Sequence, residues 1–152
     1  MKAATITGHR TLGPVSTRRV WTAAETLLKN LTIDVVYLGG ASGVDTEFLK
    51  AALQYRVGLR PKLIVVVPDT VERQPVSTRE WTRRADGVVE LFEPITSDNR
   101  YLSYKKRNEY LIDQGTFLIA FFNGDFKSGT GSAINYAKKC GKKVYTIPVS
   151  LA

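Results

Sequence analysis

Short apolar runs alternate with longer segments of helical periodicity along the whole chain. Strands are predicted for the apolar runs at residues 3–7, 35–38, 62–67, 88–92, 116–122 and 144–147. Helices are predicted between them at residues 17–31, 44–55, 78–85, 101–114 and 132–140. Such alternation is typical of parallel βαβ units. The pattern therefore predicts a doubly wound, mostly parallel α/β sheet with helices on both faces, in one domain over residues 1–152.

The predicted first helix has one apolar side and a candidate cap. Its apolar positions follow helical spacing, and they are Val20, Ala24, Leu27, Leu28 and Leu31. A hydroxyl near the start of a helix accepts hydrogen bonds from the free amides of the first turn. Ser16 or Thr17 is therefore predicted to cap this helix.

The glycine-rich segment Gly39-Gly40-Ala41-Ser42-Gly43-Val44-Asp45 lies between the second predicted strand and the following helix. Glycine lets backbone amides approach a phosphate, and a helix N-terminus favours negative charge. An anion site is one interpretation, and a tight turn with Asp45 complementing the helix dipole is the other. The spacing matches neither the dinucleotide fingerprint nor the P-loop, so hydride transfer and P-loop NTP hydrolysis lose support.

A second glycine-rich segment follows the fifth predicted strand. It contains Ser128, Gly129, Thr130, Gly131 and Ser132, whose hydroxyls and amides can bind a phosphate or a ribose. The alternative is a flexible loop with a helix cap. Two such helix starts in one chain favour the ligand interpretation over either segment taken alone.

Thr7-Gly8-His9-Arg10 follows the first predicted strand, so three glycine-bearing loops face one rim of the sheet. Arg10 is the better candidate for a phosphate partner. His9 is the chain's one histidine and is interpreted as a hydrogen-bonding surface residue rather than a catalyst.

The predicted helix at 101–114 places an amide among apolar side chains. The positions that share this face are Tyr101, Tyr104, Asn108, Leu111 and Ile112. A buried amide needs partners. Asn108 is therefore predicted either to hold a neighbouring loop or to shape the ligand rim beside Arg107.

Composition bounds the class of protein and of partner. The 152 residues carry a formal net charge of +8, which favours anionic partners or, alternatively, reflects solvated helix faces. Cys140 is the one cysteine, so no internal disulfide or thiolate metal cluster is expected. A cytoplasmic location is therefore expected. No apolar stretch reaches membrane-spanning length, and no metal, cofactor or membrane partner is predicted.

Four segments, taken in their order along the chain, resemble the SLOG superfamily of Rossmann-like proteins. They are Thr7–Arg10, residues 39–45, Arg107-Asn108 and Ser128-Gly129-Thr130. That superfamily includes the DNA-processing DprA proteins and the LOG phosphoribohydrolases, and small uncharacterised single-domain members are the closest likeness. The resemblance implies a nucleotide-derived ligand at the carboxyl rim of the sheet and frequent dimers. LOG-type hydrolases carry a catalytic glutamate where this chain has Ala133.

Three functions follow from these residues. The first is a nucleotide-binding module or sensor, in which Gly40–Gly43 and Gly129–Ser132 hold phosphates, Arg10 neutralises charge, and Asp45 or Asn108 contacts ribose or base. The second is a nucleoside-phosphate N-glycosidic hydrolase or transferase that uses a carboxylate, namely Asp45, Asp69 or Asp125. The third is single-stranded nucleic-acid binding through positive charge, tyrosines and Trp81.

Overall fold

The computed structural model describes residues 1–29 and 32–150, so the predicted apolar position Leu31 lies outside the described residues. Within these ranges there are six strands, which are β1 (Ala3–Gly8), β2 (Val35–Gly39), β3 (Lys62–Val67), β4 (Gly87–Glu90), β5 (Phe117–Phe122) and β6 (Lys143–Pro148). The same ranges contain five α-helices, which are α1 (Pro14–Lys29), α2 (Val44–Tyr55), α3 (Val76–Thr82), α4 (Arg100–Gln114) and α5 (Gly129–Lys139). A short 3-10 turn, Val71–Arg73, precedes α3.

The strands form one parallel sheet in the order β4-β3-β2-β1-β5-β6. The chain steps outward from β1 to β4 and then returns to the far side of β1, so the strand order reverses between β1 and β5. Right-handed crossovers place α1, α2 and α3 on one face and α4 and α5 on the other, and the helices of each group contact one another. The predicted doubly wound α/β fold is confirmed.

The core lies on both faces of the central strands. Val36 and Leu38 of β2 and Leu63 and Val65 of β3 are fully buried, and Phe48 of α2 is 1% exposed in the same cluster. Because helices cover both faces, these strands are apolar throughout rather than alternating in polarity. The edge strand β6 is more exposed along its length.

The predicted cap of the first helix is wrong. The helix begins at Pro14, whose fixed backbone angle suits the first helical position, so Ser16 and Thr17 lie inside the first turn. The Ser16 hydroxyl accepts a hydrogen bond from the backbone N–H of Ser150 at 2.8 Å, and the Thr17 hydroxyl donates to the Gly13 carbonyl at 3.0 Å. Ser16 therefore joins α1 to the segment after β6.

The predicted inward face of α4 is confirmed at Leu111 and Ile112 and is wrong at Tyr101, Tyr104 and Asn108, which are not buried. Its buried residues are Ser103, Arg107, Leu111 and Ile112. Asn108 is half-buried, whereas the Arg107 side chain is the polar group enclosed by the fold, with 4% of its surface exposed. The periodicity favoured Asn108 because an arginine is expected in solvent, but the partners described below hold this guanidinium inside.

Other helices and strands begin or end a few residues away from their predicted positions. Helix α5 begins at Gly129, three residues before the predicted start, because Ser128 provides the cap. Strand β4 ends at Glu90 rather than at Phe92, which has a positive φ of 55° that interrupts the strand. Helix α3 covers Val76–Thr82 rather than residues 78–85. Within the described residues, every helix is too short or too polar to cross a membrane.

Candidate ligand-binding site

A cleft of about 330 Å³ opens beyond the carboxyl ends of β1 and β5, where the strand order reverses. This is the place where open α/β sheets bind ligands, and the volume falls within the ~300–1,000 Å³ range of small-molecule sites. The cleft brings together a subset of the predicted site residues, namely Gly8, Arg10, Asp45, Arg107, Asn108, Gly129 and Thr130.

A buried carboxyl and a buried guanidinium form the floor of the cleft. Asp45, in the first turn of α2, is 7% exposed and faces Arg107 from α4 across Gly39. A Cβ atom at Gly39 would lie 2.7 Å from Asp45 Oδ2 and 2.9 Å from Arg107 Nη1. A side chain at position 39 would therefore force the Asp45 or the Arg107 side chain to move from its buried position.

Burial governs the protonation of this pair. Burial raises the pKa of the Asp45 carboxyl to about 7, although Arg107, the Ala41 N–H group and Arg10 favour its charged form. Burial also lowers the pKa of Arg107, and Asp45 opposes that shift. The carboxyl at the cleft floor thus changes charge near neutral pH.

Arginines flank the aromatic wall of the cleft. The Arg10 guanidinium lies 4.0 Å from the centroid of the Tyr104 ring, and the Arg107 guanidinium lies 5.5 Å from it. Arg107 Nε donates to Asn108 Oδ1 at 2.9 Å, and its Nη1 donates to the Val66 carbonyl at 3.5 Å. With Lys127 also in the lining, cations outnumber carboxylates among the cleft residues that the structure describes. The cleft therefore attracts anions.

The glycine segment at 39–43 docks the loop after β1 onto α2. The Val44 N–H donates to the His9 carbonyl at 3.0 Å, and the Ser42 hydroxyl donates to the Arg10 carbonyl at 3.2 Å. Gly43 has a φ of 79°, and a Cβ there would lie 2.3 Å from the His9 carbonyl oxygen. Within the described chain, the lining of the cleft omits Gly39, Gly40, Ser42 and Gly43, although it includes Ala41 of the same segment.

Gly40 makes its own close contact. A Cβ at this position would lie 2.9 Å from Cγ1 of Val67 on β3 and 3.3 Å from the hydroxyl oxygen of Thr82 on α3. Gly8 likewise packs against the side chain of Val44. These glycines allow the rim of the sheet to pack closely against α2 and α3.

The start of α5 is built differently. The Ser128 hydroxyl accepts the Gly131 N–H at 3.1 Å, which caps the helix, and Lys127 N–H donates to Asp125 at 2.9 Å. A Cβ at Gly129 would meet no atom within 4 Å among the described residues. The first helical residue is therefore accessible from the cleft. Ser132 lies in a smaller adjoining cavity of about 60 Å³ between α4 and α5.

His9 joins the two loops at the strand-order reversal. Its Nε2 accepts the Asn123 N–H at 3.0 Å, and its ring stacks on Phe122 with centroids 6.0 Å apart. Burial lowers the pKa of His9, while Asp125 opposes the shift. The acceptor role of Nε2 requires a neutral imidazole with its proton on Nδ1. His9 is thus a hydrogen-bonding residue, as predicted.

The three candidate carboxylates occupy different places. Asp45 lines the cleft, whereas Asp69 is buried beyond β3 beside Arg73, with 3.4 Å between the charged atoms. Asp125 accepts hydrogen bonds within the loop after β5. Ala133 is buried in α5. In the described part of the chain, no cluster of three or more His, Cys, Asp or Glu residues is arranged to hold a metal ion.

Sequence reasoning left Tyr101, Tyr104 and Lys127 out of the site. A signal for Tyr104 was present, because it lies three positions before Arg107 and so on the same side of the helix. Lys127 directly precedes the capping Ser128, and a cation at that place adds to the positive end of the helix dipole.

Comparison with known sequences gives a short match. No family model matches the chain. A 35-residue segment is 51% identical to the uncharacterized SPbeta prophage-derived protein YoqJ of Bacillus subtilis strain 168. The matched segment covers 23% of this chain and 20% of YoqJ.

Comparison with solved structures covers almost the whole chain. DNA processing protein A (DprA) from Helicobacter pylori, which binds single-stranded DNA, is 26% identical with a TM-score of 0.75, over 99% of this chain and 66% of that one. DprA from Streptococcus pneumoniae is 21% identical with a TM-score of 0.80, over 99% of this chain and 52% of that one. The molybdenum cofactor binding protein from Rippkaea orientalis is 15% identical with a TM-score of 0.70, over 99% and 78%. The chain thus has the Rossmann-like fold of these SLOG-type proteins, and it spans about half to two thirds of the DprA chains.

Proposed function

We propose that the cleft binds a nucleotide or another phosphorylated nucleoside and that the protein acts as a binding module or sensor. The observation that carries this proposal is the meeting, in one cleft, of the open start of α5 with Arg10, Arg107 and the Tyr104 ring. A phosphate needs amide donors and cations, whereas a base needs an aromatic face. The cleft offers both kinds of group.

The phosphate is assigned to the start of α5. Gly129 presents backbone without a side chain, and the positive end of the helix dipole with Lys127 favours an anion there. The corresponding start of α2 is less available, because the Val44 N–H already donates to the His9 carbonyl. Arg10 is exposed at the rim and supplies a second cation for the phosphate.

The nucleoside is assigned to the α4 side of the cleft. Tyr101 is 68% exposed, so its ring can stack on a base, and Tyr104, whose ring centroid lies 4.0 Å from the Arg10 guanidinium, forms the wall beside it. Asn108 Oδ1 accepts from Arg107, which leaves its amide N–H groups directed to other partners such as a ribose or base oxygen. The Asp45 carboxyl is assigned to the same part of the ligand. We also propose that this protein is one of the small single-domain members of the SLOG superfamily.

Calorimetric titration with the common nucleoside mono- and diphosphates tests the proposal. Arg10→Gln is expected to weaken binding about tenfold, because a charge-assisted hydrogen bond contributes about 1.5–3 kcal/mol. Arg18→Gln, on the exposed side of α1, is the matched control and is expected to bind like the wild type. A panel in which no nucleotide binds the wild type contradicts the proposal.

Single-stranded DNA binding is the second candidate. It is supported by the 26% identity to the Helicobacter protein over 99% of this chain and by the formal net charge of +8. Exposed aromatic rings lie near the cleft, with Phe126 53% exposed beside Lys127. Fluorescence anisotropy with a 20-nucleotide strand at several salt concentrations tests it. Affinity that does not fall with added salt removes its electrostatic basis.

A further inference from the structure

A second cavity of about 260 Å³ adjoins the cleft on the opposite side of His9 and Arg10. Its remaining lining comes from Thr11, Asn123, Val149 and Ser150. Ser150 is joined to α1 by its hydrogen bond to Ser16, so this cavity lies toward the α1 face of the sheet. The cleft lies toward α4 and α5 on the other face.

His9 and Arg10 line both cavities and so form the wall between them. The His9 ring is held in place by the Asn123 N–H at 3.0 Å and by stacking on Phe122. This wall lies where the strand order reverses, and the helices that follow β1 and β5 run to opposite faces. The crevice therefore opens toward both faces of the sheet, an arrangement in which other doubly wound folds hold two linked nucleosides.

We propose that the ligand is a dinucleotide, two nucleosides joined through phosphate, with one nucleoside in the cleft and the other in the second cavity. This inference rests on the proposed nucleotide-binding function. Arg10 belongs to both linings, so its planar guanidinium is placed to contact the joining phosphate. The volumes of about 330 and 260 Å³ make the two compartments similar in size.

The chemistry of the two compartments differs in a way that suits one ligand with two ends. The cleft has aromatic rings and cations, which hold a base and a terminal phosphate. The second cavity has hydroxyl and amide side chains at Thr11 and Asn123, which hydrogen-bond sugar and base edges. A mononucleotide fills the cleft alone. In a dinucleotide, the second nucleoside adds contacts with the second cavity.

The test compares ligands of increasing length on the wild-type protein by calorimetry. The probes are AMP, GMP, CMP and UMP, the matching 5′-phosphorylated dinucleotides, and the corresponding four- and eight-nucleotide strands. We expect one of the dinucleotides to bind at least about tenfold more tightly than its mononucleotide, with no further gain in the longer strands.

A variant locates the second nucleoside. Thr11 is exposed, so Thr11→Trp fills the second cavity without entering the core, and thermal unfolding checks that the variant is folded. It is expected to bring the Kd of the dinucleotide to within about twofold of that of the mononucleotide. Arg18→Trp, on the exposed side of α1, is the matched control and is expected to keep the dinucleotide preference.

The remaining outcomes contradict a dinucleotide ligand, and they differ in whether the proposed nucleotide site survives. Equal affinity for mono- and dinucleotides, or a dinucleotide preference that Thr11→Trp leaves intact, removes the second compartment but keeps the proposed nucleotide site. Affinity that rises steadily with each added nucleotide indicates a single-stranded nucleic-acid track instead. Absence of binding by every probe, and by the nucleoside diphosphates of the first titration, overturns the proposed function as well.

Discussion

The two glycine-rich junctions of this chain look alike in sequence and differ in structure. After β2, a Cβ at Gly39 would displace two buried side chains, and a Cβ at Gly43 would collide with the backbone of the loop after β1. After β5, Gly129 faces open space among the described residues, while Gly131 packs on the backbone of Phe126. The first junction uses glycine to pack the loop after β1 and the buried Arg107 side chain close to α2, and the second leaves the start of α5 accessible.

The difference shows that a glycine-rich strand-to-helix turn has two separate physical causes. Close approach of protein to protein and close approach of protein to ligand both require a missing Cβ. The signal that separates them is whether another part of the fold already occupies the space. At the first junction the occupants are the loop after β1 and Arg107 of α4.

Gly43→Ala is expected to have the largest effect on stability. The substitution places a Cβ on a backbone with φ of 79° and 2.3 Å from the His9 carbonyl oxygen. Strain and overpacking together are expected to cost at least about 3 kcal/mol of unfolding free energy. Urea unfolding followed by tryptophan fluorescence measures it.

Gly58→Ala is the matched control for the collision. Gly58 has a φ of 64°, but within the described residues a Cβ there would meet no atom within 4 Å. It is expected to cost about 1 kcal/mol from strain alone. Equal losses in the two variants would show that the contact of Gly43 with the loop after β1 is not tight.

Asp45→Asn is expected to remove a pH dependence of about 2.6 kcal/mol between pH 5 and pH 8. The folded-state pKa of Asp45, about 7, lies above the ordinary aspartate value of 3.8. Its contribution to stability is therefore fully present below pH 3.8 and is lost as pH rises through about 7. Denaturant unfolding of both proteins at several pH values measures the difference.

The difference between wild type and variant isolates Asp45 from other groups. The pKa of His9 is lowered, so its contribution changes with the opposite sign and is lost as pH falls below its ordinary value. His9 is present in both proteins and cancels in the comparison. A wild-type and variant difference that stays constant from pH 5 to pH 8 would contradict the burial of Asp45.

Ser128→Ala is expected to cost about 1 kcal/mol, the usual value for a lost helix cap. The Ser128 hydroxyl accepts the Gly131 N–H at 3.1 Å. Thermal unfolding measures the loss. Ser132→Ala lies inside the first turns of the same helix and away from the cap, so it serves as the control and is expected to change stability less.

Gly129→Ala is expected to have the smallest effect on stability and a clear effect on binding. Its Cβ would enter open space, so the unfolding free energy is expected to stay within about 1 kcal/mol of the wild type, on the stabilising side. A methyl group at the phosphate position is expected to weaken nucleotide binding severalfold. Unchanged affinity would contradict the assignment of the phosphate to α5.

The fold was predictable because its causes are local. The buried strands at 35–39 and 62–67 are apolar runs of strand length, and the helical spacing of Val20, Ala24 and Leu28 marks a core-facing side. The parallel sheet follows from their alternation.

The site was predictable only in part because its causes are long-range. The glycine positions marked the rim, but the contact of Gly39 with Arg107 depends on a helix that comes much later in the chain. The same contact explains why Arg107 rather than Asn108 is buried. Periodicity alone cannot distinguish neighbouring positions of a helix when a buried carboxylate such as Asp45 attracts one of them.

Amide chemical-shift mapping by NMR, during titration with the mononucleotide that binds best, tests most directly which glycine junction holds the phosphate. The largest shifts are expected at the backbone amides of Gly129, Thr130 and Gly131, at the open start of α5. Smaller shifts are expected at Gly40 and Gly43, which pack against other parts of the protein and do not line the cleft. The largest shifts at Gly40 and Gly43, with the α5 amides unmoved, would contradict the account.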